Sequence, residues 1–296
     1  MENCYESIYN GLQKPIGCTS DSLPVLYAYT ALQAEPTDAD SKSGFTGNAP
    51  GKEIYIMNTA VITGASRGIG FATAKLLGQR GWNLVINGGH DRDALQHAAD
   101  TLSSSTRVAS YYGDVSSEKH GNGLIDCALR TFGHIDLLIN NAGISHIGLL
   151  SDMSTAQWHR LMQTNLDSVF FTCRAAVPSM VRRQQGRILN ISSVWGEVGA
   201  SCEAAYSASK GAVNALTRAL AKELAPSHIS VNAISFGVID TEMNRCFDPE
   251  EREALAEEIP FGRFASPEEA AAFCCQIAEA PEYLTGQVLR FDGGWI

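Results

Sequence analysis

From Thr59 onward, short apolar runs alternate with helix-forming segments, and this alternation restricts the chain to very few architectures. The runs are TAVITG (59–64), NLVING (83–88), RVASYYGDV (107–115), IDLLINNAG (135–143), GRILNISS (186–193), ISVNAISFG (229–237) and QVLRFDGG (287–294). Most lack the in–out alternation of a half-exposed strand, so they read as strands buried on both faces. Helical segments between them require right-handed crossovers, and those line the strands up in parallel. The expectation is an α/β fold, a doubly wound parallel seven-stranded sheet with helices on both faces. One domain over 57–296 is expected, with a long amphipathic helix over 155–184 and an irregular, acidic stretch over 238–260.

Residues 1–56 read differently. Pro15, Pro24, Pro36 and Pro50 and the run TDADSKSGFTGNAPGKE give no sustained periodicity, so a poorly ordered extension is expected there. Leu23–Ala34 is moderately apolar but follows Glu2, Glu6 and Asp21 with no basic flank, which argues against a signal peptide. No run is long enough to span a membrane. A net charge of −10 disfavours nucleic acid and anionic membrane surfaces as partners. The eight cysteines form no Cys-x-x-Cys pair and the seven histidines are dispersed, so no zinc site or disulfide framework is expected; the cytoplasm is the default compartment. Cys202 has no activating base beside it in sequence.

Chemistry concentrates in two places. Thr63-Gly64-Ala65-Ser66-Arg67-Gly68-Ile69-Gly70 joins the first strand to the first helix. Glycines there let backbone approach a pyrophosphate, and the helix start offers free N–H groups and the positive end of a dipole. Tyr206 and Lys210 stand four residues apart, which on a helix places both on one face. An ammonium beside a phenol favours the phenolate, so Lys210 is expected to pull the Tyr206 pKa down. Alone, that pair recurs by chance in many chains.

The Gly-x-x-x-Gly-x-Gly spacing, Asp114-Val115 ending the third strand, Asn140-Asn141-Ala142-Gly143 after the fourth, and Tyr206-x-x-x-Lys210 occur together and in order. From Thr59 to the C-terminus the chain resembles the short-chain dehydrogenase/reductase family, whose fold is of Rossmann type. The resemblance implies a catalytic set of Asn165, Ser193, Tyr206 and Lys210, with Ser193 preferred over Ser192. It implies a nicotinamide cofactor held by Gly64, Ser66, Arg67, Gly68, Ile69, Gly70, Asp114, Val115, Asn141, Ala142, Gly143, Tyr206, Lys210 and Thr241, and it assigns no metal. By resemblance Asn165 anchors a water serving Lys210. The second strand ends Asn87-Gly88-Gly89, without the acid that selects NAD(H), while Arg67 can meet a 2′-phosphate, so NADP(H) is favoured. Asp91 is the nearby acid that argues the other way.

TAVITGASRGIG, GRILNISSVWGEVG, YSASKGAV and PFGRFASPEE are most similar to 3-oxoacyl-(acyl-carrier-protein) reductases. That implies a carbonyl substrate, an acyl thioester on acyl-carrier protein or a small molecule, with Arg182, Arg183 and Arg187 as a carrier-docking patch. Another ketone, sugar or steroid stays open, as does a cofactor-sensing protein without catalysis. Ile144–Leu150, Val194–Ala204 and Val238–Pro260 are expected to line the substrate pocket, with Trp195, Val198, Cys202, Met243 and Phe247 as an apolar side. Phe236 replaces the proline usual in relatives, and a homotetramer is implied by resemblance only.

Overall fold

The computed structural model describes residues 57–245 and 247–296; the expected N-terminal extension lies outside the described residues. The chain runs β1 (Thr59–Ile62), α1 (Gly68–Gln79), β2 (Asn83–Gly88), α2 (Arg92–Leu102), β3 (Val108–Tyr112), α3 (Glu118–Phe132) and β4 (Leu137–Asn140). It continues α4 (Thr155–Met162), α5 (Ser168–Arg183), β5 (Gly186–Ser193), α6 (Trp195–Val198), α7 (Ala204–Leu224) and β6 (Ile229–Phe236), and ends α8 (Pro249–Glu258), α9 (Pro267–Ala278) and β7 (Val288–Phe291). Among the described residues the strands form one seven-stranded sheet in the order β3-β2-β1-β4-β5-β6-β7, and every pairing is parallel. The doubly wound α/β architecture is therefore the one the alternation called for.

Successive strand residues enter different cores, as the pleat requires. Ala60, Ile62, Leu84, Ile86, Leu137 and Ile139 pack in one cluster with α1, α2 and α9. Val61, Val85 and Leu138 pack in the other with α3, α5 and α7. The strand order reverses between β1 and β4, which opens a crevice beyond their C-terminal ends where such sheets take ligands.

Two elements depart from expectation. The long helix over 155–184 is interrupted by a π-helical turn, Gln163–Asp167, that separates α4 from α5. The acidic stretch expected to be irregular contains α8, started by a reciprocal capping box between Asp248 and Glu251 with Pro249 in the first turn. Phe236 ends β6 as a buried strand residue, its ring edge-on to Phe291 at 5.7 Å.

Candidate active site

The crevice is built first by the β1–α1 turn. Thr63 Oγ1 accepts the backbone N–H groups of Asn141 and Ala142, both at 2.9 Å, and Asn141 Nδ2 donates to the carbonyls of Thr63 and Gly64 at 3.0 and 2.9 Å. These bonds clamp the glycine turn onto the end of β4. Gly64 and Gly68 have φ of +62° and +57°, the left-handed region that glycine enters without strain. No side chain caps α1, whose preceding residue Arg67 is extended. A Cβ added at Gly68 would meet only the Thr241 side chain, at 3.6 Å, so the face of the turn toward the crevice is open. An uncapped helix start beside an open glycine turn fits the pyrophosphate of a dinucleotide.

The remaining cofactor candidates divide into two groups. Ser66 lies against Gly88 at the end of β2, Gly89 lies against the Asp114 backbone, and Asp114 sits 3.8 Å from His90. Gly143 lies between Asn165 and Lys210, and Thr241 closes on Gly68. Val115, by contrast, is buried in a core cluster, and Ile69 and Ala142 pack against the cores. Val115 can offer a ligand only its backbone, while Ile69 and Ala142 are half-buried. Arg67 is engaged already: its Nε is 3.1 Å from Glu242 Oε2, in an exposed pair that sequence reasoning missed.

The second half of the site stands on β5 and α7. Tyr206 and Lys210 share a face of α7, with Lys210 Nζ 5.7 Å from the Tyr206 ring centroid. Lys210 is buried, donates to the Ile191 carbonyl at 2.8 Å, and has its pKa lowered to about 8 by burial. Tyr206 is pushed the other way from expectation, up to about 12. Burial dominates, a hydrogen bond with Ser193 opposes it, and the charge of Glu203 adds to it. The Lys210 ammonium, which donates to the Ile191 carbonyl, does not offset that burial. Ser193 and Ser192 face opposite ways on β5: Ser193 reaches Tyr206, while Ser192 Oγ donates to the Lys210 carbonyl at 3.3 Å.

Asn165 lies in the π-helical turn. Its Oδ1 accepts from Ile144 N at 2.8 Å, and its Nδ2 donates to Ile144 O at 2.9 Å and to Ser209 Oγ at 3.0 Å. These bonds tie the loop after β4 to α7, and π-helical turns recur at functional sites because they displace a helix from its regular ladder.

Ser193 and Tyr206 line a cavity of about 460 Å³ with Trp195, Met243 and Phe247 on its apolar side. Val198 and Cys202, expected beside them, are exposed and lie off the cavity, because the chain turns outward after α6 with Gly199 and Cys202 both at positive φ. Trp295 lies outside the three segments expected to line the cavity, and Glu203 lies within one of them. Trp295, next to last in the chain, packs edge-on to Trp195 at 4.8 Å, and Glu203 sits one helical turn before Tyr206.

A family model described as short chain dehydrogenase matches residues 58–252. An uncharacterized oxidoreductase of Bacillus subtilis is 40% identical over 240 residues, covering 80% of this chain and 98% of the relative. A 3-oxoacyl-(acyl-carrier-protein) reductase of Chlamydia trachomatis is 37% identical over 244 residues, 81% of this chain and 98% of the relative. A D-beta-hydroxybutyrate dehydrogenase of Cupriavidus necator is 32% identical over 251 residues, covering 80% and 97%. The chain belongs to the short-chain dehydrogenase family.

As a short-chain dehydrogenase it is an oxidoreductase with the seven-stranded sheet of that family. Its basic residues near β5 are placed at the far end of the strand from the cavity. Arg183 bonds Asp136 at 2.9 Å and Arg187 bonds the Ala280 carbonyl, so two of the three arginines expected to dock a carrier protein are held by their own subunit. Eight strand residues, from Gly186 to Ser193, separate this end from the site, roughly 20 Å at strand rise. No helix among the described residues is long and apolar enough to cross a membrane.

Proposed function

We propose that this short-chain dehydrogenase is an NADP(H)-dependent reductase of 3-oxoacyl thioesters, forming the 3-hydroxyacyl product. The observation that carries the reading is that Ser193 and Tyr206 line the same cavity, with Lys210 one helical turn behind Tyr206 on the same face of α7. The glycine turn would hold NADP(H), which when bound would supply the hydride. Ser193 holds the carbonyl oxygen as negative charge develops on it, and Tyr206 hands its proton to that oxygen. A phenol at about 12 stays protonated through neutral pH, the form that reduction consumes. Lys210, at about 8, can be charged or neutral near working pH and can replace the proton that Tyr206 gives up. Asn165 positions the loop after β4 against α7.

Arg67 supports NADP(H). Its partner Glu242 is exposed, and exposed pairs are worth about 1 kcal/mol or less, so a dianionic 2′-phosphate can displace it. The acyl chain would lie along Trp195, Met243 and Phe247. Two of the relatives act on different substrates, a 3-oxoacyl group on acyl-carrier protein and D-beta-hydroxybutyrate, and the apolar wall favours the first. The test is cofactor oxidation with an acetoacetyl thioester, NADPH against NADH, free and on acyl-carrier protein. Turnover with NADPH well above NADH is expected. Comparable use of NADH, or a thioester slower than simple ketones, would overturn the reading.

A further inference from the structure

Glu203 is an acid in the wall of the substrate cavity that the proposed chemistry does not use. It occupies the position before α7 where an acidic side chain ordinarily accepts a helix N–H, yet its side chain makes no capping bond. Instead it lines the cavity together with Trp195, Ser193 and Tyr206. Its backbone carbonyl accepts from Ser207 N at 2.8 Å, which fixes the residue at the helix start. Among the described residues no lysine, arginine or histidine forms an ion pair with it, and none lines the cavity. The other acids of the lining are Glu251 and Glu258, on α8. Lys210, the cation of the site, is turned to the Ile191 carbonyl and does not face the cavity.

We propose that Glu203 is a specificity-determining residue that makes this cavity select a neutral acyl substrate, ester or thioester, over a free carboxylate. This rests on the reading of the protein as a carbonyl reductase. A carboxylate beside the reacting carbonyl of a β-keto acid would lie in a cavity carrying acidic side chains and no opposing cation. Like charges in a site partly shielded from water repel strongly. An ester or thioester places only a neutral carbonyl there. The Glu203 charge is felt at the reacting centre, since it contributes to the raised pKa of Tyr206. Burial also raises the pKa of Glu203, as expected for an acid held in a partly dry wall, while the Trp195 side chain beside it acts in the opposite direction.

The experiment compares two substrates with the same ketone, ethyl acetoacetate and acetoacetate, using the full chain and NADPH. Wild-type kcat/KM should favour the ester at least tenfold. Glu203→Gln should narrow that ratio several-fold by lowering the KM for acetoacetate, and Glu203→Ala should narrow it likewise. Equal kcat/KM for the two substrates in the wild type, or a ratio unchanged in both variants, overturns the proposal. If neither ketone nor any thioester is reduced, the reductase reading fails by itself. Charge selection is then read from ligand-observed NMR titration of the NADPH-loaded protein, whose nicotinamide is uncharged: ester bound more tightly than acetoacetate supports the role of Glu203, and equal binding refutes it.

Discussion

Replacing Lys210 by methionine should stabilise the fold at neutral pH while abolishing carbonyl reduction. Lys210 is only 5% exposed, and burial lowers its pKa from 10.5 to about 8. Below pH 8 the amine is charged in both the folded and unfolded chain, so the folded state bears the whole desolvation penalty. As pH rises from 8 to 10.5 the folded amine is already neutral while the unfolded one still holds its proton, and the penalty fades. At about 1.36 kcal/mol for each pH unit of that interval, the penalty is about 3 kcal/mol. Methionine keeps the stem volume but loses the bond to the Ile191 carbonyl, worth roughly 1 kcal/mol. Lys210→Met should therefore be about 2 kcal/mol more stable than wild type at pH 7 and about 1 kcal/mol less stable near pH 10.5. Urea unfolding of both proteins at several pH values measures the swing. A stability difference independent of pH would refute the claim that Lys210 is held against a desolvation penalty.

Glu242→Gln frees Arg67 from its ion pair and should tighten NADPH binding up to about fivefold with less effect on NADH, measured by fluorescence titration. An equal effect on both cofactors would remove Arg67 from 2′-phosphate recognition. Gly70→Ala should destabilise the fold and weaken cofactor binding together, because its Cβ would stand 2.5 Å from both the Gly64 carbonyl oxygen and Asn141 Nδ2. A melting temperature and NADPH affinity like those of wild type would show that the turn yields without loss.

The sheet was legible because each strand carries its own apolar run and each crossover its own helix; the seven runs beginning at Thr59 admit little else. That Tyr206 and Lys210 share a helix face was legible because helix period is a local rule, whereas Ser193 could be named only through the family resemblance. What escaped depends on contacts between distant segments. Asn165 could be named by resemblance, but not the π-helical turn around it, nor its bonds to Ile144 and Ser209. Trp295 reaches the cavity only because β7 lies beside β6 and the chain then turns back toward Trp195. The opposite shift of Tyr206 came from burial, which sequence spacing does not report. The helix α8 is different: Asp248-Pro249-Glu250-Glu251 is a readable start signal, and the acidity of the stretch obscured it.

The central claim, that Tyr206 gives the proton when a carbonyl is reduced, is tested most directly by Tyr206→Phe. Initial rates of NADPH oxidation with an acetoacetyl thioester, alongside NADPH binding by the same protein, supply the measurement. The account predicts a loss on the order of 10²–10⁴-fold in kcat with the NADPH dissociation constant nearly unchanged. A variant that turns over within a few-fold of wild type would contradict it.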